Sequence, residues 1–77
     1  MGIQERKDRN KQEMISLILD SAMELFVNEG YQNVTMRKIA DKIEYSPTTI
    51  YLYFKDKSEI LYMLLNRAFD KFYEAQM

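Results

Sequence analysis

This sequence predicts an all-α fold, and three observations carry the prediction. One Pro and two Gly in 77 residues leave little for turns, which favours long helices over many short strands. Apolar residues recur at steps of three and four along most of the chain, the spacing of one helix face. The stretch "TTIYLYF" at 48–54 has strand composition, but the chain offers no second strand to pair with it. A lone strand leaves its backbone groups unpaired, so helix is expected there too. The expected architecture is a three-helix bundle followed by a long fourth helix.

The first helix is expected from Lys11 to Asn28, where Ile15, Ile18, Leu19, Ala22, Leu25 and Phe26 share one face. "NEGY" stops it, with Gly30 placed as a left-handed cap. Residues 1–10, "MGIQERKDRN", read as a flexible charged arm that extends this helix by a turn or frays. The second helix starts at Thr35, whose side-chain oxygen can cap it. Val34 and Ile39 have the spacing of a hydrophobic staple, and Met36, Ile39, Ala40 and Ile43 mark a buried stripe.

Ser46 reads as the cap of a third helix and Pro47 as its first residue, where a missing N–H costs nothing. Tyr45 and Ile50 repeat the staple spacing, and the helix is expected to run to Phe54. Asp56 with Glu59 three residues later resembles a capping box opening the fourth helix, expected to about Gln76. That helix is apolar over too wide a surface. Ile60, Leu61, Leu64, Leu65, Ala68 and Phe72 span one face, and Tyr62, Phe69 and Tyr73 form a second stripe beside it. One small core cannot cover both, so the helix is expected to touch something outside these residues. Three segments follow: the arm 1–10, a helix-turn-helix unit 11–56, and a connecting helix 57–77 leading to a domain not present.

Composition narrows the function classes. With 47% apolar and 30% charged residues the chain is globular rather than disordered. Cys and His are both absent, which excludes disulfides, Cys/His zinc sites and thiol catalysis. Hydroxyls are scattered without a base in any recognisable motif, and Asp41 and Glu44 read as ordinary surface charge. No enzyme activity, metal or cofactor is expected. No apolar run approaches the roughly 20 residues of a membrane span, and the N-terminus is too polar for a secretion signal. A soluble cytoplasmic protein without membrane contact is expected.

Net charge is −1, but it is sorted along the chain. Residues 14–34 carry Asp20, Glu24 and Glu29 and no basic group, whereas residues 35–57 carry Arg37, Lys38, Lys42, Lys55 and Lys57 against Asp41, Glu44 and Asp56. The basic excess coincides with two short helices joined by about three residues, the outline of a helix-turn-helix. Projected down its axis, the second of these turns Ile50 and Phe54 inward. Thr48, Thr49 and Leu52 face outward, with Tyr51 and Tyr53 on the flanks. That outward face has no charge, unusual for a solvated surface but suited to base-pair edges. A threonine can hydrogen-bond there or meet a thymine methyl, and an apolar tip can do the latter. Tyrosine hydroxyls can reach phosphates, and Lys55 and Lys57 supply charge beside them.

The stretch "TMRKIADKIEYSPTTIYLYFKDKSEIL" resembles the DNA-binding domain of TetR-type transcriptional regulators, a homeodomain-like helix-turn-helix. Their pattern runs Thr, three residues, Ile-Ala, a turn, Ser, then Tyr-x-Tyr-Phe, two residues and Lys. Thr35, Ile39, Ala40, Ser46, Tyr51, Tyr53, Phe54 and Lys57 fall into place. Ala22, Leu25, Phe26, Gly30 and Tyr31 match the family's first helix. The resemblance covers about residues 12 to 65 and implies a dimeric regulator, most often a repressor, on palindromic double-stranded DNA. A larger C-terminal domain would form the homodimer and bind a small-molecule effector. It further implies Arg37 at a base or phosphate, Pro47, Thr48 and Thr49 at bases, Tyr51 and Tyr53 at the backbone, Lys57 at a phosphate, and Thr35 as both cap and phosphate contact.

Two positions depart from the family. Ile43-Glu44-Tyr45 replaces the usual Ala-Gly-Val, and Glu44 in a left-handed conformation would cost on the order of 1 kcal/mol relative to Gly, leaving room for a differently shaped turn. Thr48 stands where Gly is frequent and reaches further into a groove. Bland roles compete with each assignment: the tyrosines as rings over the core, Thr48 and Thr49 as helix-start residues, Arg37 as an ion-pair partner, Lys57 as a helix's first residue. The rival function is a helical protein-interaction module that uses the aromatic face of the last helix.

Overall fold

The computed structural model describes the backbone of residues 3–75 and the side chains of residues 10–69. Four α-helices follow one another: α1 (Ile3–Glu29), α2 (Met36–Ile43), α3 (Pro47–Tyr51) and α4 (Lys57–Ala75), with a single 3₁₀ turn at Tyr31–Asn33 between the first two. The three-helix bundle with a long fourth helix is present, and α2 starts after the expected cap at Thr35.

Each element sends one β-branched side chain to the centre. Ile18 from α1, Val34 before α2, Ile39 from α2, Ile50 from α3 and Ile60 from α4 are all fully buried. Leu19, Ala22, Met36, Ala40, Phe54 and Leu64 complete the core, and Ile15, Leu25, Phe26, Ile43 and Tyr53 pack on its margin. Burying one such side chain stabilises by about 1.5–3 kcal/mol, whereas an exposed ion pair contributes about 0–1. The core therefore sets the fold. The pairs Lys38–Glu29 (2.7 Å), Lys42–Glu24 (3.4 Å) and Arg67–Asp20 (2.7 Å) only bias how α2 and α4 sit on α1.

Several ends differ from expectation. α1 begins at Ile3 rather than Lys11, so its helical backbone covers most of the segment expected as an arm, whose side chains lie outside the described residues before Asn10. Gly30 has the expected positive φ of 88°, but its ψ of 140° is extended rather than left-handed helical. Its N–H still closes on the Phe26 carbonyl at 3.0 Å, after which the chain turns at once into the 3₁₀ turn. That turn is closed by only two bonds, Asn33 N–H to Gly30 O and Val34 N–H to Tyr31 O, and is too short to leave a periodicity to read.

Caps follow the sequence closely. Thr35 Oγ1 accepts from the Lys38 N–H at 3.1 Å, and both residues of its staple, Val34 and Ile39, are buried. At α4 the Asp56 carboxylate accepts from the Glu59 N–H at 3.0 Å, while the Glu59 carboxylate accepts from the Lys55 N–H at 3.1 Å, one residue before the cap. The Ser58 hydroxyl donates to the same Asp56 oxygen. These donors, the Ser58 hydroxyl first, hold the Asp56 carboxyl below its ordinary range.

On α4, Ile60 and Leu64 are buried and Leu61 is half-buried. Leu65 and Ala68, expected on the same face, are exposed because α4 there runs past the end of the small core. Tyr62 and Phe69 of the second stripe are exposed too, Phe69 at 70%. The second stripe is thus uncovered as far as it is described; Phe72 and Tyr73 lie outside the described side chains.

Two backbone positions make opposite predictions. A Cβ at Gly30 would meet only Asn33 Nδ2 at 3.6 Å, so Gly30→Ala suffers from the torsion rather than a clash, and it should cost about 1–3 kcal/mol in urea denaturation. Glu44→Gly should raise stability by about 1 kcal/mol in the same assay, because Glu44 holds φ 63°, ψ 39°. For Asp56, a depressed folded-state value means that its contribution is complete above the ordinary aspartate range and disappears as pH falls through the depressed value. Asp56→Ala should therefore lower the melting temperature at neutral pH, with the gap to the parent chain closing in acid.

Candidate nucleic-acid interface

The turn between α2 and α3 takes the regular shape despite its unusual residues. Glu44 is left-handed, its N–H donates to the Asp41 carbonyl at 3.2 Å, and the Tyr45 N–H donates to the Ala40 carbonyl at 2.9 Å. These are the two bonds of a Schellman motif, formed here at the cost of placing Glu where Gly is at ease. Tyr45 remains exposed while Ile50 is buried, so the second staple is open on one side.

α3 is shorter than expected. It ends at Tyr51, not Phe54. The Leu52 N–H is shared between the Thr48 and Thr49 carbonyls at 3.2 Å each, the Tyr53 N–H reaches Ile50 O at 2.9 Å, and the Phe54 N–H reaches the same oxygen at 3.0 Å. The last turn thus tightens at Tyr53, whose bond spans three residues, while Phe54 keeps a four-residue bond to Ile50 and enters the core on the same side. Both anchors are buried as predicted. Ser46 occupies the cap position, but its hydroxyl lies 3.2 Å from Thr49 Oγ1 and caps no backbone group.

The predicted face points outward. Leu52 is 77% exposed and Tyr51 54%, and Thr48 is exposed beside them. Leu52 sits one helical turn above Thr48, in register through the shared N–H. Pro47 and Thr49 are half-buried, and the Thr49 hydroxyl is already engaged with Ser46, so Thr48 and Leu52 carry the outermost surface. Tyr53 is half-buried and packs on the core. Thr35 is exposed at the start of α2, its oxygen committed to the cap, and Arg37 is exposed two residues on.

The five cations of residues 35–57 divide into two groups. Lys38 and Lys42 turn back to Glu29 and Glu24 of α1. Lys57, half-buried, donates to the Tyr31 carbonyl at 2.7 Å and lies 4.3 Å from the centre of the Tyr31 ring. Arg37 and Lys55 are exposed and make no ion pair among the described residues. Tyr31 was in register with the family pattern but carried no assigned role. The only prior signal for the inward pairs is the acid-only run 14–34 preceding the basic segment.

Three comparisons bear on this arrangement. Residues 18–62 match the family described as bacterial regulatory proteins, tetR family. The chain is 34% identical over 55 residues to the HTH-type transcriptional regulator YuxN of Bacillus subtilis, covering 71% of this chain and 19% of that protein. It is 38% identical over 55 residues to an HTH-type transcriptional regulator of Staphylococcus aureus strain USA300, covering 71% and 30%. A TetR-family transcriptional regulator from Haemophilus influenzae superposes with a TM-score of 0.73 at 33% identity, covering 82% of this chain and 34% of that one. The chain thus spans about a fifth to a third of the length of these relatives.

Proposed function

Because the chain belongs to the TetR family of bacterial regulatory proteins, whose members bind DNA, we propose that residues 35–57 read an operator half-site with α3 in the major groove. One observation carries the reading: the exposed surface of α3, formed by Thr48, Tyr51 and Leu52, is uncharged, while Ile50 and Phe54 on its other side are buried. Such a face carries no charge for water to solvate and fits base edges, with Thr48 as donor, acceptor or methyl contact and Leu52 against a thymine methyl. Pro47 and Thr49 border it, and Tyr51 and Tyr53 meet the backbone on either side. Arg37 and Lys55 supply the charge for phosphates, and Thr35 lies close enough to the α2 start to join them.

The fuller reading is of a repressor that covers its operator as a homodimer and is released by a small effector. Residues 57–77, helical as far as they are described, to Ala75, lead on to a regulatory and dimerisation domain. Two facts support this: the uncovered Tyr62 and Phe69 of the second stripe on α4, with Leu65 exposed beside them, and the greater length of the relatives. Palindromic DNA then follows from two-fold symmetry. No helix among the described residues is long and apolar enough to cross a membrane, in keeping with a partner in solution.

Selection of duplexes from a random pool at low ionic strength tests the reading, followed by titration against salt. DNA binding weakens steeply as salt rises, because neutralised phosphates release counterions. Binding to protein through the apolar stripe of α4 would respond little, and a flat salt dependence with no selected duplex would leave that rival standing. Within the DNA reading, Arg37→Ala and Lys55→Ala should each lower the slope of log K against log salt by about 0.9. Lys38→Ala and Lys42→Ala should leave the slope unchanged. Replacing the contacted thymine by deoxyuridine should weaken the parent chain by about 0.8 kcal/mol, the worth of one buried methyl-sized group, and should leave Leu52→Ala unaffected.

A further inference from the structure

The Lys57 ammonium is held from two sides by one residue 26 positions away. It donates to the Tyr31 carbonyl at 2.7 Å and stands over the Tyr31 ring at 4.3 Å. That ring is fixed in turn by Phe26 of α1, with centroids 5.0 Å apart and planes tilted by 60°. The same carbonyl accepts from the Val34 N–H at 3.2 Å, closing the 3₁₀ turn, so both of its lone pairs are in use. No carboxylate neutralises Lys57 among the described residues, and the ring face and the carbonyl take that role.

Lys57 is also the first residue of α4. The chain leaves α3 at Tyr51 and enters α4 at Lys57, and the short span between them carries Tyr53 and Lys55. A tie from Lys57 to the α1–α2 connection therefore fixes the far end of that span. From this geometry we propose that Lys57 is a positioning residue and not a phosphate ligand: it clasps the start of α4 onto Tyr31 and thereby holds Tyr53 and Lys55 at the height at which the α3 face meets DNA. The proposal rests on the DNA reading above and departs from the phosphate role that the family resemblance implies for this position.

Four variants test it: Lys57→Met, Lys57→Gln, Tyr31→Leu and the double variant Lys57→Met/Tyr31→Leu. Each is titrated against the duplex selected by the parent chain, at a temperature where circular dichroism shows the variant fully folded. In the clasp, Lys57→Met weakens all duplexes alike by several-fold without changing the salt slope. Lys57→Gln recovers part of the loss, since a neutral amide can donate to the Tyr31 carbonyl. Tyr31→Leu, away from the α3 face, keeps the carbonyl and removes only the ring, so it produces a smaller loss of the same kind, and the double variant is no worse than Lys57→Met alone. A salt slope lowered by about 0.9 in Lys57→Met, no recovery in Lys57→Gln and additive losses in the double variant would overturn the clasp. Failure of the parent chain to bind any duplex would instead overturn the DNA reading itself, so the two failures are distinct.

Discussion

The arrangement depends on the burial of Ile50. α3 has five helical residues, and a helix that short is not stable on its own in water. Its sequence adds to the difficulty, since Thr48, Thr49 and Ile50 are β-branched and Tyr51 is aromatic. What holds the segment is Ile50 inserted among Ile18, Val34, Ile39 and Ile60, with Phe54 closing the core behind it. Because the inward side supplies the stability, the outward side is released from any demand for helix formers or surface charge. Residues chosen for shape can then occupy it. The surface offered to a ligand is a consequence of the anchor beneath it.

Charge is organised on a second level, energetically weaker and directional. The acidic face of α1 draws Lys38 and Lys42 toward the body of the protein, and the Tyr31 ring and carbonyl draw Lys57 the same way. Arg37 and Lys55 are left exposed, one on α2 and one in the span between α3 and α4. Counting basic residues in the segment would overstate its electrostatic reach toward phosphates by more than half.

The turn between α2 and α3 shows how far geometry constrains chemistry. The two helices meet at the angle of a helix-turn-helix only if the chain reverses within a few residues, and the Schellman bonds at Glu44 and Tyr45 accomplish this. The backbone keeps its left-handed residue although Glu is poorly suited to it. Packing of Ile39, Ala40 and Ile50 on either side of the turn outweighs a local penalty of about 1 kcal/mol. On α4, no comparable packing among the described residues covers Tyr62, Leu65 and Phe69.

Much of this was legible in the residues themselves. Helical spacing identified Ile18, Leu19, Ile39 and Ile60 as core, the caps at Thr35 and Asp56 marked two helix starts, and the alternation of inward Ile50 and outward Leu52 located the candidate face. These features are local, set by periodicity of the chain and by side chains bonding to backbone within a turn. What the sequence could not settle depends on groups distant along the chain. The engagement of Lys57 follows from Tyr31 lying beneath it 26 residues away. The pairing of Lys38 and Lys42 with α1 likewise needs the angle at which two helices cross. Local bonding is written in short stretches of sequence, whereas the direction of a long flexible cation is decided only when the folded chain brings its partner within reach.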